Sequence, residues 1–151
     1  MSIFHSMDTT GSALTAQRLR MDVISSNMAN ADTTRAKRVN GKWVPYTRKT
    51  VTLTPKEGSF SNYLNVAMGG NGKMGNGVKV SSINEDTSTP YKLVYDPTNP
   101  DADKDGYVQT SNVDSLKEMV NLISATRSYE ANVTVFNANK SMLSKALEIG
   151  K

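Results

Sequence analysis

Cysteine is missing from all 151 residues, which excludes disulfides, thiol catalysis and thiolate metal ligation. Histidine is nearly missing. His5 stands alone on the first turn of a predicted helix, with no second histidine or acid pair nearby to make it a base or ligand. No Ser–His–acid or paired-carboxylate arrangement can be assembled, so neither catalysis nor a cofactor is expected. Aromatic residues make up 7 % of the chain, hydrophobic residues 37 %, and the mean hydropathy is −0.47. That is lean for a self-supporting globule but too rich for wholesale disorder. No run approaches the ~18 apolar residues of a membrane span, and direct membrane insertion is not expected. Residues 1–30 lack a basic cluster followed by an apolar core, so a Sec-type signal is not expected either. Proline is confined to the middle: residues 34–111 hold all five prolines and eight of the ten glycines.

The two ends are correspondingly free of breakers. Asn112 to Ile149 contains neither Gly nor Pro and reads as one helix. At 1.5 Å per residue it would be a rod of roughly 55 Å. Leu122, Tyr129, Phe136 and Leu143 recur every seven residues, flanked by Met119, Val133 and Leu147. Ala125, Asn132, Asn139 and Ala146 lie between them, small or polar enough to let a partner helix approach. A strict seven-residue repeat favours coiled-coil packing. A second apolar row, Leu116, Val120, Ile123, Ala131, Val135, Ala138, Met142 and Ile149, faces elsewhere. A helix wet on one side needs only one such row, so two rows imply two sets of neighbours. At the other end Met7, Leu14, Met21 and Met28 repeat at the same interval, with Ile3, Ile24 and Ala31 in the complementary seam. Thr10 and Gln17 weaken that seam, and Gly11 costs about 1 kcal/mol against Ala. The helix is expected to run from near Ile3 to near Asn30. The reading is an α+β chain with three parts: an N-terminal helix (1–33), a β-rich or irregular middle module (34–111) and a C-terminal helix (112–151). The two helices are expected to pair as an antiparallel coiled coil.

In the middle, Val51–Leu53, Val78–Val80 and Tyr91–Tyr95 alternate as short strands. Residues 69–77 form a glycine-rich loop with no phosphate-binding pattern. Asp101, Asp103, Asp105 and Gly106 imitate the start of a calcium loop, but the position that needs a bidentate Glu is Asn112. An acidic turn closed by glycine is the better reading, and no metal is required. Charge is uneven: residues 31–50 carry six basic side chains against Asp32 alone. Arg35, Lys37, Arg38, Lys42, Arg48 and Lys49 interleave with Trp43 and Tyr46, a pattern suited to phosphates and stacked bases. Nucleic-acid binding through 35–49 is therefore the rival reading. The alternative use of these charges is against acids, internal or on a neighbouring subunit, with Arg35, Lys37 and Arg38 setting register between subunits.

The run Ala13–Gln17, followed by Arg20-Met21-Asp22-Val23-Ile24-Ser25-Ser26-Asn27-Met28-Ala29-Asn30, resembles the N-terminal signature of bacterial flagellar axial proteins. The run from Asn112-Val113-Asp114 through Glu118 to Asn132 resembles the matching C-terminal signature. The short module after Thr34, Tyr107-Val108 and the ending from Lys140 to Gly150 are similar to the proximal-rod members of that family. The resemblance implies a structural subunit of the flagellar basal-body rod that polymerises through its terminal helices and transmits motor torque. It implies copies of itself and other rod proteins as partners, export by the flagellar type III apparatus, a place outside the inner membrane, and no nucleic acid. The helix-packing residues expected on the two seams are Met7, Leu14, Met21, Ile24, Met28, Met119, Leu122, Tyr129, Val133, Phe136, Leu143 and Leu147.

Overall fold

The structure is a computed structural model describing residues 3–56, 64, 67–68 and 75–149. Most of the glycine-rich loop 69–77 therefore lies outside the described residues. Helix α1 spans Ile3–Ala29 and helix α2 spans Ser115–Ile149. Between them lie β1 (Lys37–Val39), β2 (Lys42–Val44), β3 (Lys49–Pro55), β4 (Val78–Glu85), β5 (Lys92–Tyr95) and β6 (Tyr107–Thr110). These strands pair only two by two, β1 with β2, β3 with β4 and β5 with β6. The class is α+β.

Each boundary has a local cause. Helix α1 stops where Asn30 turns its amide back to the Ser26 carbonyl (2.9 Å), and Thr33 then bonds the Asn30 side chain (3.2 Å). Such side chains offer the backbone an alternative to the helical ladder. Helix α2 begins three residues later than the breaker-free stretch suggested. Asp114 is its cap: Oδ1 accepts from the amides of Leu116 (3.1 Å) and Lys117 (3.3 Å). The β1–β2 hairpin turns at Asn40 (φ 51°) and Gly41 (φ 82°). Two successive residues with positive φ match the right-handed twist of a tight hairpin. Its antiparallel register sets Arg38 opposite Trp43. The β5–β6 hairpin is antiparallel too, with Val94 opposite Val108 and Tyr95 opposite Tyr107. Its acidic connection closes at Gly106 (φ 80°), where the Asp96 amide donates to the Gly106 carbonyl (3.0 Å).

The chain forms two compact units. One comprises the described residues of Met1–Leu19, Thr52–Ser82 and Ala125–Lys151. Here Thr10, Ala16, Ala125 and Asn139 are buried. The Asn139 amide donates to Ser6 Oγ (2.8 Å), joining the two helices inside this unit. The Val78 amide donates to Ser12 Oγ (3.1 Å), docking the start of β4 on α1. The other unit comprises Arg20–Val51 and Ile83–Ser124. Its buried apolar side chains are Ile24, Pro45, Tyr46, Val108 and Val113, matched in number by the polar Asn27, Thr47, Ser111, Asn112 and Glu118.

Candidate assembly surface and the polar knot

The second unit is organised around hydrogen bonds. Asn27, near the end of α1 and 1 % exposed, uses its full side-chain capacity. Its Nδ2 donates to the Lys49 carbonyl (2.8 Å) and to Glu118 Oε2 (3.0 Å). Its Oδ1 accepts from the Lys49 amide (2.9 Å) and the Tyr46 hydroxyl (3.1 Å). Glu118, on the first turn of α2, is equally buried. Its Oε1 accepts from Arg48 Nε (2.9 Å), Arg48 Nη2 (2.7 Å) and Asn121 Nδ2 (3.3 Å). Asn112 Oδ1 accepts from the Arg48 amide (2.7 Å), while its Nδ2 donates to the carbonyls of Asp86 (2.9 Å) and Thr89 (3.0 Å). Segments about ninety residues apart are thus tied directly by Asn27 and Glu118, and Arg48 from the middle of the chain holds Glu118 and Asn112. Because every bond has its partner, burial costs these groups little, and the geometry of the junction is fixed. Asp86, half-buried beside Arg48, is held well below the usual carboxylate range by hydroxyl bonds from Ser88 and Thr89.

Along α2 the two apolar rows have different surroundings. Ala125 is wholly buried, Asn139 is buried, and Leu122, Tyr129, Val133, Phe136 and Leu143 are half-buried. On α1 Ile24 is buried, and Met7, Leu14, Met21 and Met28 are half-buried. Met119 and Leu147 are exposed, the latter by 74 %. The second row faces outward. Leu116, Val120 and Ile123 are exposed in one unit, and Val135 and Met142 in the other, with Ala131 and Ala138 beside them. Leu116 is 76 % exposed and Val120 66 %, far more than a folded helix needs to leave in water.

The basic segment is largely neutralised within its own chain. Arg35 bonds Asp101, whose other oxygen accepts from Thr34 Oγ1 (2.9 Å). Arg35 and then Thr34 hold the Asp101 carboxyl below its ordinary range, and Asp101 raises Arg35 in turn. Lys37 bonds Glu85 (2.6 Å), which raises the ammonium above its ordinary value. Lys49 lies 5.7 Å from the Tyr46 ring and Arg38 5.7 Å from that of Trp43. The cluster that suggested phosphate binding therefore directs five of its six charges to its own unit: Arg35, Lys37 and Arg48 to acids, Arg38 and Lys49 to rings. Periodicity could not disclose Asn27, Asn112 or Glu118 as the tie, since a buried polar residue on a helix reads as an outward-facing one.

Comparison with known proteins agrees with the two ends. Residues 7–37 match the family described as "Flagella basal body rod protein", and residues 104–149 match "Flagellar basal body rod FlgEFG protein C-terminal". The knot is thus the meeting point of two segments that mark a flagellar basal-body rod protein. Over its full length the chain is 67 % identical to the flagellar basal-body rod protein FlgC of Bacillus subtilis, with all of both chains covered. It is 46 % identical to that of Borreliella burgdorferi (99 % of this chain, 98 % of the relative) and 42 % to that of Salmonella typhimurium (100 % of each). The chain belongs to the FlgC family. It is a structural subunit of the bacterial flagellar basal-body rod, and its family is one of structural proteins rather than enzymes. The nucleic-acid reading of residues 35–49 falls with that assignment and with the internal pairing of its charges.

Proposed function

We propose that the chain builds the rod by presenting the outward row of α2 to neighbouring subunits while the other row packs against α1 of its own chain. The observation that carries this is the contrast between the two rows: Ala125 wholly buried, Val120 and Leu116 mostly in water. Antiparallel pairing of α1 with α2 is part of the reading. In one unit Ser6 meets Asn139, in the other Asn27 meets Glu118, so early residues of α1 meet late residues of α2. Both intervals equal three heptads, which supports pairing within each unit: Met7 and Leu14 with Tyr129, Val133, Phe136 and Leu143 in one, and Met21, Ile24 and Met28 with Leu122 in the other. The 27 residues of α1 are too few to cover all 35 of α2, so Leu147 is left for another subunit. Met119 belongs with the outward row by its exposure.

The partners on this reading are copies of the same chain and other rod proteins, reached after export by the flagellar type III apparatus, and the assembled helices carry motor torque. Of the basic side chains expected between subunits, Arg35 and Lys37 hold acids of their own chain. The register role is therefore proposed chiefly for Arg38, which among the described residues holds no acid, only the Gly41 carbonyl (3.2 Å) and the Trp43 ring. An exposed pair of this kind contributes only about 0.2–1 kcal/mol, so it would act by repetition along the polymer.

The test is a cell carrying Val120→Glu in place of the native chain, with protein level and export measured alongside swimming. Burying a lone carboxylate at a subunit contact is costly, so motility should be lost while the exported protein accumulates. Normal swimming would remove Val120 from the interface.

A further inference from the structure

Within the second unit, a cleft of about 360 Å³ opens between the β1–β2 and β5–β6 hairpins. Arg35, Lys42 and Trp43 line one wall, and Asp103, Tyr107 and Gln109 line the other. The volume lies at the lower end of the roughly 300–1,000 Å³ usual for small-ligand sites. None of this is used by the α2 surface, and the inference stands independently of the assembly proposal.

Three properties narrow the ligand. The first is balanced charge: Arg35 and Lys42 face Asp101 and Asp103, so the cleft has no net attraction for a polyanion or polycation. The second is ring surface. Trp43 is 52 % exposed and Tyr107 47 %, both held on short hairpins, and Tyr107 is steadied edge-on by Tyr95 with centroids 5.3 Å apart. The third is the set of polar groups without partners among the described residues: the Lys42 ammonium, the Trp43 indole N–H, the Tyr107 hydroxyl and the Gln109 amide. Donors and acceptors are mixed, which suits hydroxyl groups that must both give and receive hydrogen bonds. A ligand with one C–H-rich face and many hydroxyls meets all three conditions. Its polarised C–H bonds pack on the electron-rich faces of the rings.

We propose that this cleft binds a neutral oligosaccharide, with Trp43 and Tyr107 as the stacking surface and Lys42 and Gln109 as hydroxyl partners. The occupant from another class would be a segment of a second copy of the chain. That is disfavoured because the cleft offers no deep apolar pocket to anchor a side chain.

Trp43 is the only tryptophan in the chain, so its emission reports on the cleft directly. The full-length protein is titrated with cellotetraose and, separately, with its N-acetylated counterpart chitotetraose. A saturable blue shift with either is expected, and the difference between them reads whether acetamido groups are recognised. Gln109→Ala and Lys42→Ala, both at exposed positions, should weaken binding about tenfold each with unchanged circular dichroism. Absence of saturable change with both sugars overturns the proposal, as does binding that both variants retain in full. A shift that follows protein concentration without sugar, and that Lys42→Glu abolishes, assigns the cleft to a second copy and overturns it equally.

Discussion

At Glu118 a carboxylate lies almost wholly out of water with donors from Arg48, Asn27 and Asn121 around it. Removing one partner of a buried pair strands the other, so Glu118→Ala should cost about 3–5 kcal/mol, read from the denaturant midpoint of the purified chain. Glu118→Gln keeps acceptor and shape and should cost clearly less; equal losses would show that packing, not the bond set, matters there. Gly77 makes a different demand. Its φ is +93°, and a Cβ would lie 2.2 Å from Ser12 Oγ and 3.3 Å from the Thr9 Cα. Gly77→Ala must therefore destabilise, by more than the ~1 kcal/mol that an incompatible backbone alone costs. Gly11, mid-helix with nothing within 4 Å of a Cβ, should show the opposite sign, with Gly11→Ala gaining up to about 1 kcal/mol in the free chain. Thermal melts of the two variants decide this pair. The carboxyls of Asp86 and Asp101 add a pH dependence. Both are depressed in the folded state, so their contribution is complete above the unfolded value near 3.9 and is lost as pH falls through the folded ones. Stability should decline with acid below about pH 4, and Asp86→Asn should flatten that decline.

Among the elements, the helices were the legible part. A stretch of 38 residues without a breaker and two heptad rows left little else for residues 112–149 to become, and the strands around Val51, Val78 and Leu93 followed from alternation. Helix α2 starts three residues inside the breaker-free stretch because Asp114 caps it rather than continuing it. Asp114→Ala should cost about 1 kcal/mol and lower helicity at that end, measurable by circular dichroism. The β1–β2 hairpin is not among the runs that alternation picks out, although Asn40-Gly41 is a strong tight-turn signal. Its flanks, Lys37-Arg38 and Lys42-Trp43, carry charge rather than alternation and so read as a basic cluster. The β6 strand is hidden for a related reason, since Tyr107–Thr110 follows directly on the acidic turn that imitates a calcium loop. The knot was illegible in kind: Asn27, Asn112 and Glu118 sat inside the quoted signature runs, yet nothing in one-dimensional spacing tells a satisfied buried amide from a solvated one.

The chain buries as many polar as apolar side chains in one unit and leaves a long apolar row of α2 outside. On the proposed reading, hydrogen bonds fix the internal geometry of a lean sequence and the outward apolar row of α2 is left for contact with other chains. The absence of cysteine makes the central claim directly measurable. Val120→Cys and Ile123→Cys on the outward row, with Lys104→Cys in the exposed acidic turn as a reference, can be labelled with a maleimide in the free subunit and in isolated basal bodies. The account predicts that Val120→Cys and Ile123→Cys label readily in the free subunit and are protected once assembled. Equal labelling of both positions in the two states would contradict it.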